Sequence, residues 1–217
     1  VKSLRQRHKP WADEFIEEHG HIFIPNPTEN KGNWTKVFGN HNPIHLEIGT
    51  GKGQFIIGMA KQYPNVNFIG LEVSKSVIVN AGEKLLQEEL PNVKLILADA
   101  NMLLDYFSNN EISELYLNFS DPWPKNRHAK RRLTFHTFLK QYEEILQRDK
   151  SIVFKTDNRK LFEYSLVSMS QFGMCLDDVT LDLHELCDET NVKTEYEEKF
   201  STKGQPIYRV KARFEVK

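Results

Sequence analysis

The sequence predicts an α/β protein: a doubly wound, mostly parallel seven-stranded sheet, Rossmann-like, with helices on both faces and antiparallel strands at one edge. Three observations carry this expectation. Short apolar runs recur from residue 43 onward with helix-like segments between them, the alternation that a parallel sheet with crossover helices requires. A glycine-rich turn follows the first run directly, at the position where such sheets meet their ligands. Two more runs near the C-terminus are joined by a polar stretch instead of a crossover helix and read as an antiparallel pair.

The elements follow in order. Pro10 to His19 reads as a short helix, with proline in its first turn, Trp11, Phe15 and Ile16 as an apolar stripe, and Gly20 as its stop. A second helix is expected from a cap at Thr28 through Trp34, Val37 and Phe38 to Gly39. Strands are expected at Ile44–Ile48, Val66–Val73, Val93–Ala98, Leu115–Phe119 and Ile152–Phe154. Helices fall between and after them at Gln54–Gln62, Lys75–Glu89, Thr134–Gln147 and Arg159–Phe172. Met174–Leu183 and Ile207–Val216 complete the sheet, and the acidic stretch Asp182–Lys203 reads as a loop. Neither an internal repeat nor a low-complexity segment is present.

Composition narrows the function classes. Lys and Arg number 29 against 30 Asp and Glu, a net charge of −1, so a nucleic-acid partner must be read from local clusters and not from the total. Hydrophobic residues at 39% suffice for one sizeable core. No apolar run approaches the roughly 20 residues of a spanning helix, and no apolar leader opens the sequence. The two cysteines, Cys175 and Cys187, form no C-x-x-C pair. A reduced, cytoplasmic protein away from membranes is expected.

The first strand runs into EIGTGKG, with Glu47 ahead of Gly49, Gly51 and Gly53. Glycines let the backbone approach a ligand lying beyond the strand ends. The second strand ends at Glu72, where a carboxylate can accept from both ribose hydroxyls, and the third at Asp99, within reach of an adenine amino group. The spacing is G-x-G-x-G, and the preceding Glu47 would repel a pyrophosphate while suiting the cationic end of S-adenosylmethionine. The plainer alternatives are a solvated strand-end carboxylate for Glu47 and a surface charge for Lys52.

The fourth strand ends in LNFSDPWPKNRHAKRR. Asp121 stands where the catalytic group of such sheets projects, and Pro122 and Pro124 stiffen the backbone around Trp123, whose ring offers a face to a base. From Lys125 to Arg132, five of eight residues are Lys or Arg, enough to meet several phosphates of an RNA. Asp182, His184, Glu185, Cys187 and Asp188 match no metal-ligand spacing, and no metal is expected.

Together, EIGTGKG, SDPWPK, FKTDN at Phe154–Asn158 and TEYE at Thr194–Glu197 make the sequence resemble the bacterial tRNA (guanine-N7-)-methyltransferases over nearly its whole length. The resemblance implies methyl transfer from S-adenosylmethionine, with S-adenosylhomocysteine as product, to N7 of guanosine 46 in the tRNA variable loop. It implies cofactor contacts at Glu47, Gly49, Gly51, Glu72, Asp99 and Asp121, with Asp121 also catalytic. It implies tRNA contacts at Lys125, Asp157, Thr194, Glu195, Tyr196 and Glu197, and an RNA-binding stretch that includes Arg127, Lys130, Arg131 and Arg132. Residues 1–40 are then an RNA-facing helical extension and 41–217 the methyltransferase domain; tRNA is the partner, with neither DNA nor a membrane.

The chemistry is consistent with these residue types. Guanine N7 has a lone pair and no proton, so attack on the sulfonium methyl needs alignment and carboxylates that tolerate the developing cation, not a base. Asp157 has a second reading as the cap of the helix that follows it. Two rival functions remain: methylation of an exocyclic amine of a nucleic acid, since such enzymes carry a D-P-P-Y-like turn at the same strand end, and an RNA-binding module without turnover.

Overall fold

The computed structural model describes residues 9–186, 188–201 and 204–215. Seven strands form one sheet: β1 (Ile44–Ile48), β2 (Asn67–Glu72), β3 (Val93–Leu97), β4 (Ile112–Asn118), β5 (Leu146–Thr156), β6 (Met174–Thr180) and β7 (Tyr208–Phe214). Their order is β3-β2-β1-β4-β5-β7-β6. Strands β1 to β5 run parallel, and β7 lies antiparallel between β5 and β6. The expected sheet class and its antiparallel edge are both present, with the last strand inserted inside its predecessor.

Eight helical segments α1 to α8 are described: α1 (Ala12–Glu18), α2 (Trp34–Phe38), α3 (Gln54–Gln62), α4 (Lys75–Glu88), α5 (Leu103–Tyr106), α6 (His136–Ile145), α7 (Arg159–Phe172) and α8 (Glu195–Ser201). Helices α3 and α7 have the bounds read from their periodicity. Two buried clusters fill the faces. One gathers Trp34, Leu46, Leu115, Phe138, Tyr142, Phe154 and Phe162; the other gathers Phe23, Phe55, Ile56, Phe68, Ile78 and Leu95. The core therefore lies on both sides of a sheet whose central strands are largely buried, as parallel strands covered by helices must be.

Several expectations are corrected. The helix expected from Thr28 to Gly39 is a 3-10 turn at Pro27–Asn30 followed by α2. Gly32, with φ of 75°, breaks the two apart, and the Glu111 carboxylate accepts from Gly32 N (3.0 Å) and Trp34 N (3.3 Å). That side chain supplies from a distance the acceptors that an N-cap would. Strand β5 begins at Leu146, not Ile152; its residues Arg148–Lys150 are exposed and polar, with Asp149 at φ 59°, which hides this part of the strand from an apolar pattern. The stretch expected to be a loop between β6 and β7 contains α8, started by Thr194, whose Oγ1 accepts from Glu197 N at 2.9 Å.

The segment before α2 shares the core. Ile22 O accepts from Leu95 N and Leu95 O accepts from Ile24 N, so residues 22–24 pair alongside β3. Helix α1 lies on α4, tied by Lys75 to Asp13 and by Lys9 Nζ to Asn80 Oδ1 at 2.8 Å. Among the described residues, no helix is long and apolar enough to cross a membrane.

Candidate active site

The order of the sheet reverses between β1 and β4, and open α/β sheets bind ligands in the crevice at that point. Ile48 pairs with Leu117 across this seam. Beyond it opens a cavity of about 620 Å³ lined by Gly49, Glu72, Asp99, Asn118, Ser120 and Asp121 among others. A second lobe of about 350 Å³, lined by Glu47, Thr50, Phe55, Glu195 and Tyr196, shares Gly49, Asn118 and Phe119 with the first. All six residues expected to hold the cofactor thus border one two-lobed cleft.

The glycine turn positions these groups. Gly53 has φ of 83°, and a methyl group on it would lie 2.7 Å from Ala81 Cβ, so only glycine lets the chain turn into α3 so close to α4. Glu72 accepts from Gly51 N (3.1 Å) and from Ser74 N (2.9 Å). Its carboxylate therefore also holds the turn against the end of β2. Asp99 accepts from Asn101 N at 2.8 Å and from its side-chain amide at 2.7 Å.

Glu47 is not solvated, as the plainer reading had it. It is 3% exposed, accepting from Thr50 Oγ1 at 2.6 Å and Asn118 Nδ2 at 2.9 Å. Burial is the main cause that pushes its carboxyl up to about 7, against the opposing pull of those two hydrogen bonds and the nearby Lys155. Lys52 is exposed, in line with a surface charge.

The loop after β4 is strained where the chemistry is expected. Phe119 (φ 52°) and Trp123 (φ 42°) both occupy the left-handed region, which costs bulky residues energy and persists only where the surroundings enforce it. Arg132 provides much of that enforcement. Only 9% exposed, it donates from Nε and Nη2 to Trp123 O at 3.3 and 3.0 Å and lies 4.3 Å from the centre of the Tyr164 ring. Lys125, Arg127, Lys130 and Arg131 face solvent, with the Arg131 guanidinium 4.8 Å over the Trp123 ring. The basic run therefore divides into four outward cations and one inward strut.

Comparison with known proteins gives these features a family. Residues 41–210 match a family model described as "Putative methyltransferase". A tRNA (guanine-N(7)-)-methyltransferase of Bacillus licheniformis is 62% identical over 96% of this chain and 98% of its own length. One from Oceanobacillus iheyensis is 60% identical over 98% of this chain and all of its own length. The chain belongs to the tRNA (guanine-N7-)-methyltransferase family. A solved structure described as an antibiotic related methyltransferase, 20% identical, superposes with a TM-score of 0.65 over 84% of this chain and 93% of that one; the likeness concerns the fold alone.

In this member of the tRNA (guanine-N7-)-methyltransferase family, the TEYE segment comes back to the cleft. Tyr196 donates from its hydroxyl to Asp157 Oδ2 at 3.1 Å and packs on Phe119 with ring centres 5.0 Å apart. Glu195 accepts from Lys84 Nζ at 2.5 Å and from Gln54 N at 3.3 Å. Thr194 and Glu197 are buried, Glu197 completely. Asp157 does not cap α7, because Asn158 does, accepting from Leu161 N at 2.9 Å.

Sequence reasoning missed Lys155 and Asn118. A lysine inside the apolar run IVFKT is the signal that could have found the first, since a charge in a central strand demands a partner. Among the described residues no group of three His, Cys, Asp or Glu side chains gathers for a metal; Cys187, part of the group weighed for one and of any cysteine pair, lies outside the described residues.

The residues present fit S-adenosylmethionine. Asn118 Oδ1 and Ser120 Oγ are buried without a hydrogen-bond partner and belong to residues lining the larger lobe, where a polar ligand would satisfy them. Glu72 would hold the ribose, Asp99 the adenine edge, and Glu47 with Asn118 the charged methionyl end.

Proposed function

We propose that this protein transfers a methyl group from S-adenosylmethionine to N7 of guanosine 46 in the variable loop of tRNA, with Asp121 as the catalytic residue. The observation that carries the reading is the convergence, at one switch-point crevice, of three strand-end acids with the strained SDPWPK loop and an adjoining row of exposed cations.

The methyl donor supplies an electrophilic carbon bound to a sulfonium. The guanine N7 lone pair forms the new C–N bond while the S–C electrons return to sulfur, leaving a cationic ring and a neutral thioether. No proton leaves the nucleophile, so none of the carboxylates has to act as a base. Asp121 and Asp157, at the ends of the neighbouring strands β4 and β5, instead orient the purine edge and face the charge that develops on it. Trp123 and its loop hold the base in line with the S–C bond, and Lys125, Arg127, Lys130 and Arg131 meet phosphates. Residues 9–40, with α1 on α4 and residues 22–24 paired beside β3, extend the surface available to tRNA. A cytoplasmic location accords with this substrate.

The test is incubation with methyl-labelled S-adenosylmethionine and unfractionated tRNA, followed by identification of the labelled nucleoside. Label in 7-methylguanosine supports the reading; label in an exocyclic-amine product, or tRNA binding without any cofactor binding, overturns it in favour of one of the two rivals.

A further inference from the structure

Residues 188–201 cross the smaller lobe of the cleft, and four side chains fix them to α3, α4 and the end of β5. Val192 packs against helix α3 at Gly58, where a methyl group would lie 2.5 Å from Val192 Cγ1 but 3.8 Å from its Cβ. Glu195 is tied to the start of α3 and to α4 through Gln54 N and Lys84. Tyr196 reaches Asp157 beyond β5.

The fourth tie differs in kind. Lys155 Nζ meets Glu197 Oε2 at 2.8 Å, with the two side chains 3% and 0% exposed. The same ammonium donates to Asn191 Oδ1 (3.1 Å) and Val192 O (3.0 Å), and Asn191 Nδ2 donates to Glu197 Oε1 at 2.7 Å. An ion pair held this far from water is a poor source of net stability, but parting its members would leave a buried charge unpaired, so it ties this segment to one arrangement. Its cation also lies close enough to Glu47 to act on that carboxyl. Neither Lys155 nor Glu197 opens to the surface, so Glu197 cannot meet RNA in this arrangement, whereas its neighbours Glu195 and Tyr196 line the lobe.

We propose that residues 188–201 are a strap seated on Gly58 and latched by Lys155, and that Lys155, Val192 and Glu197 are positioning residues for methyl transfer. They act through Glu195 and Tyr196, which they hold against the glycine turn, Phe119 and Asp157, and they touch neither substrate. This rests on the methyl-transfer reading above and adds the means by which the methionyl end of the cleft is closed.

Gly58→Ala tests the seat. Alanine favours the helix interior, so α3 is retained while Val192 is displaced. Affinity for S-adenosylhomocysteine, measured by calorimetry, is expected to fall about tenfold, and kcat on tRNA by about tenfold or more. Adding Val192→Ala removes the clashing methyl group and is expected to restore both to within about threefold of the parent protein. Lys155→Met with Glu197→Met tests the latch without leaving an unpaired buried charge; it is expected to fold and to lose affinity for S-adenosylhomocysteine. Parental affinity and kcat in Gly58→Ala, failure of Val192→Ala to rescue it, or parental affinity in the folded Lys155/Glu197 variant would overturn the strap. Failure of the underlying function looks different: the parent protein would bind S-adenosylhomocysteine yet form no 7-methylguanosine.

Discussion

Glu72 and Glu47 are both strand-end acids, but their surroundings give them different tasks. Glu72 spends part of its carboxylate on Gly51 N and Ser74 N, so Glu72→Ala is expected to loosen the glycine turn as well as remove the ribose acceptor. Loss of a hydrogen bond to a charged group is worth about 1.5–3 kcal/mol, so calorimetry with S-adenosylhomocysteine should show affinity reduced about tenfold or more, with tRNA affinity unchanged; unchanged cofactor affinity would take Glu72 out of the site. For Glu47 the test is pH. Its folded carboxyl titrates at about 7 against 4.5 when unperturbed, mainly through burial. The stability it contributes is therefore fully present below pH 4.5 and lost as pH rises through 7. In cofactor-free protein, Glu47→Gln is expected to be more stable than the parent at pH 8.5, by up to about 3 kcal/mol, and to show no advantage at pH 4.5. Urea titrations at the two pH values decide it, and an advantage equal at both would contradict the buried carboxylate. At this scale the strand-end positions of Glu72, Asp99 and Asp121 were legible because sheet topology alone aims them at the crevice. Lys155 and Asn118 were not, because their partners Glu197 and Glu47 stand 42 and 71 residues away.

Among the elements, the 3-10 turn Asn126–Arg131 and the residue after it separate two roles that the basic composition of the run merges. Replacing Lys125 and Arg127, the two exposed cations of the run that do not border the cleft, by alanine is expected to weaken tRNA binding and to flatten the dependence of log affinity on log salt by roughly 0.7–0.9 for each phosphate that is no longer neutralised, with S-adenosylhomocysteine affinity preserved. An unchanged salt slope would mark the run as a solvated face. Arg132→Ala is expected to act otherwise: it leaves Trp123 O without its two guanidinium bonds and should cost about 2 kcal/mol of stability, visible in urea unfolding, with little change in salt slope. Parental stability of that variant would deny Arg132 its role as a strut. Helices α3 and α7 were readable to the residue because glycine or asparagine marks their starts. Helix α8 was overlooked although T-x-x-E opens it, a capping pattern that the acidic composition of its surroundings obscured.

At the scale of the whole molecule, a parallel sheet whose order reverses between β1 and β4 dictates where the chemistry sits; the alternation of apolar runs implied the parallel sheet, and the glycine-rich turn after the first run marked the end of it that meets a ligand. What the pattern could not specify was the closing edge: two alternating strands imply an antiparallel pair, but nothing local says that β7 slots between β5 and β6. That insertion places the chain before β7, with the strap, beside the end of β5, and so joins the C-terminal segment to the cleft. The central claim is that this cleft methylates guanine at N7 with Asp121 at the reacting centre. Its most direct test is chain scission of product tRNA after borohydride and aniline treatment, which cleaves at 7-methylguanosine, with the cut mapped along the strand. The parent protein should yield one cut, at guanosine 46 in the variable loop, and Asp121→Ala should reduce its rate of appearance by about a hundredfold or more while remaining folded. Incorporated label without scission, or an Asp121→Ala variant as fast as the parent, would contradict it.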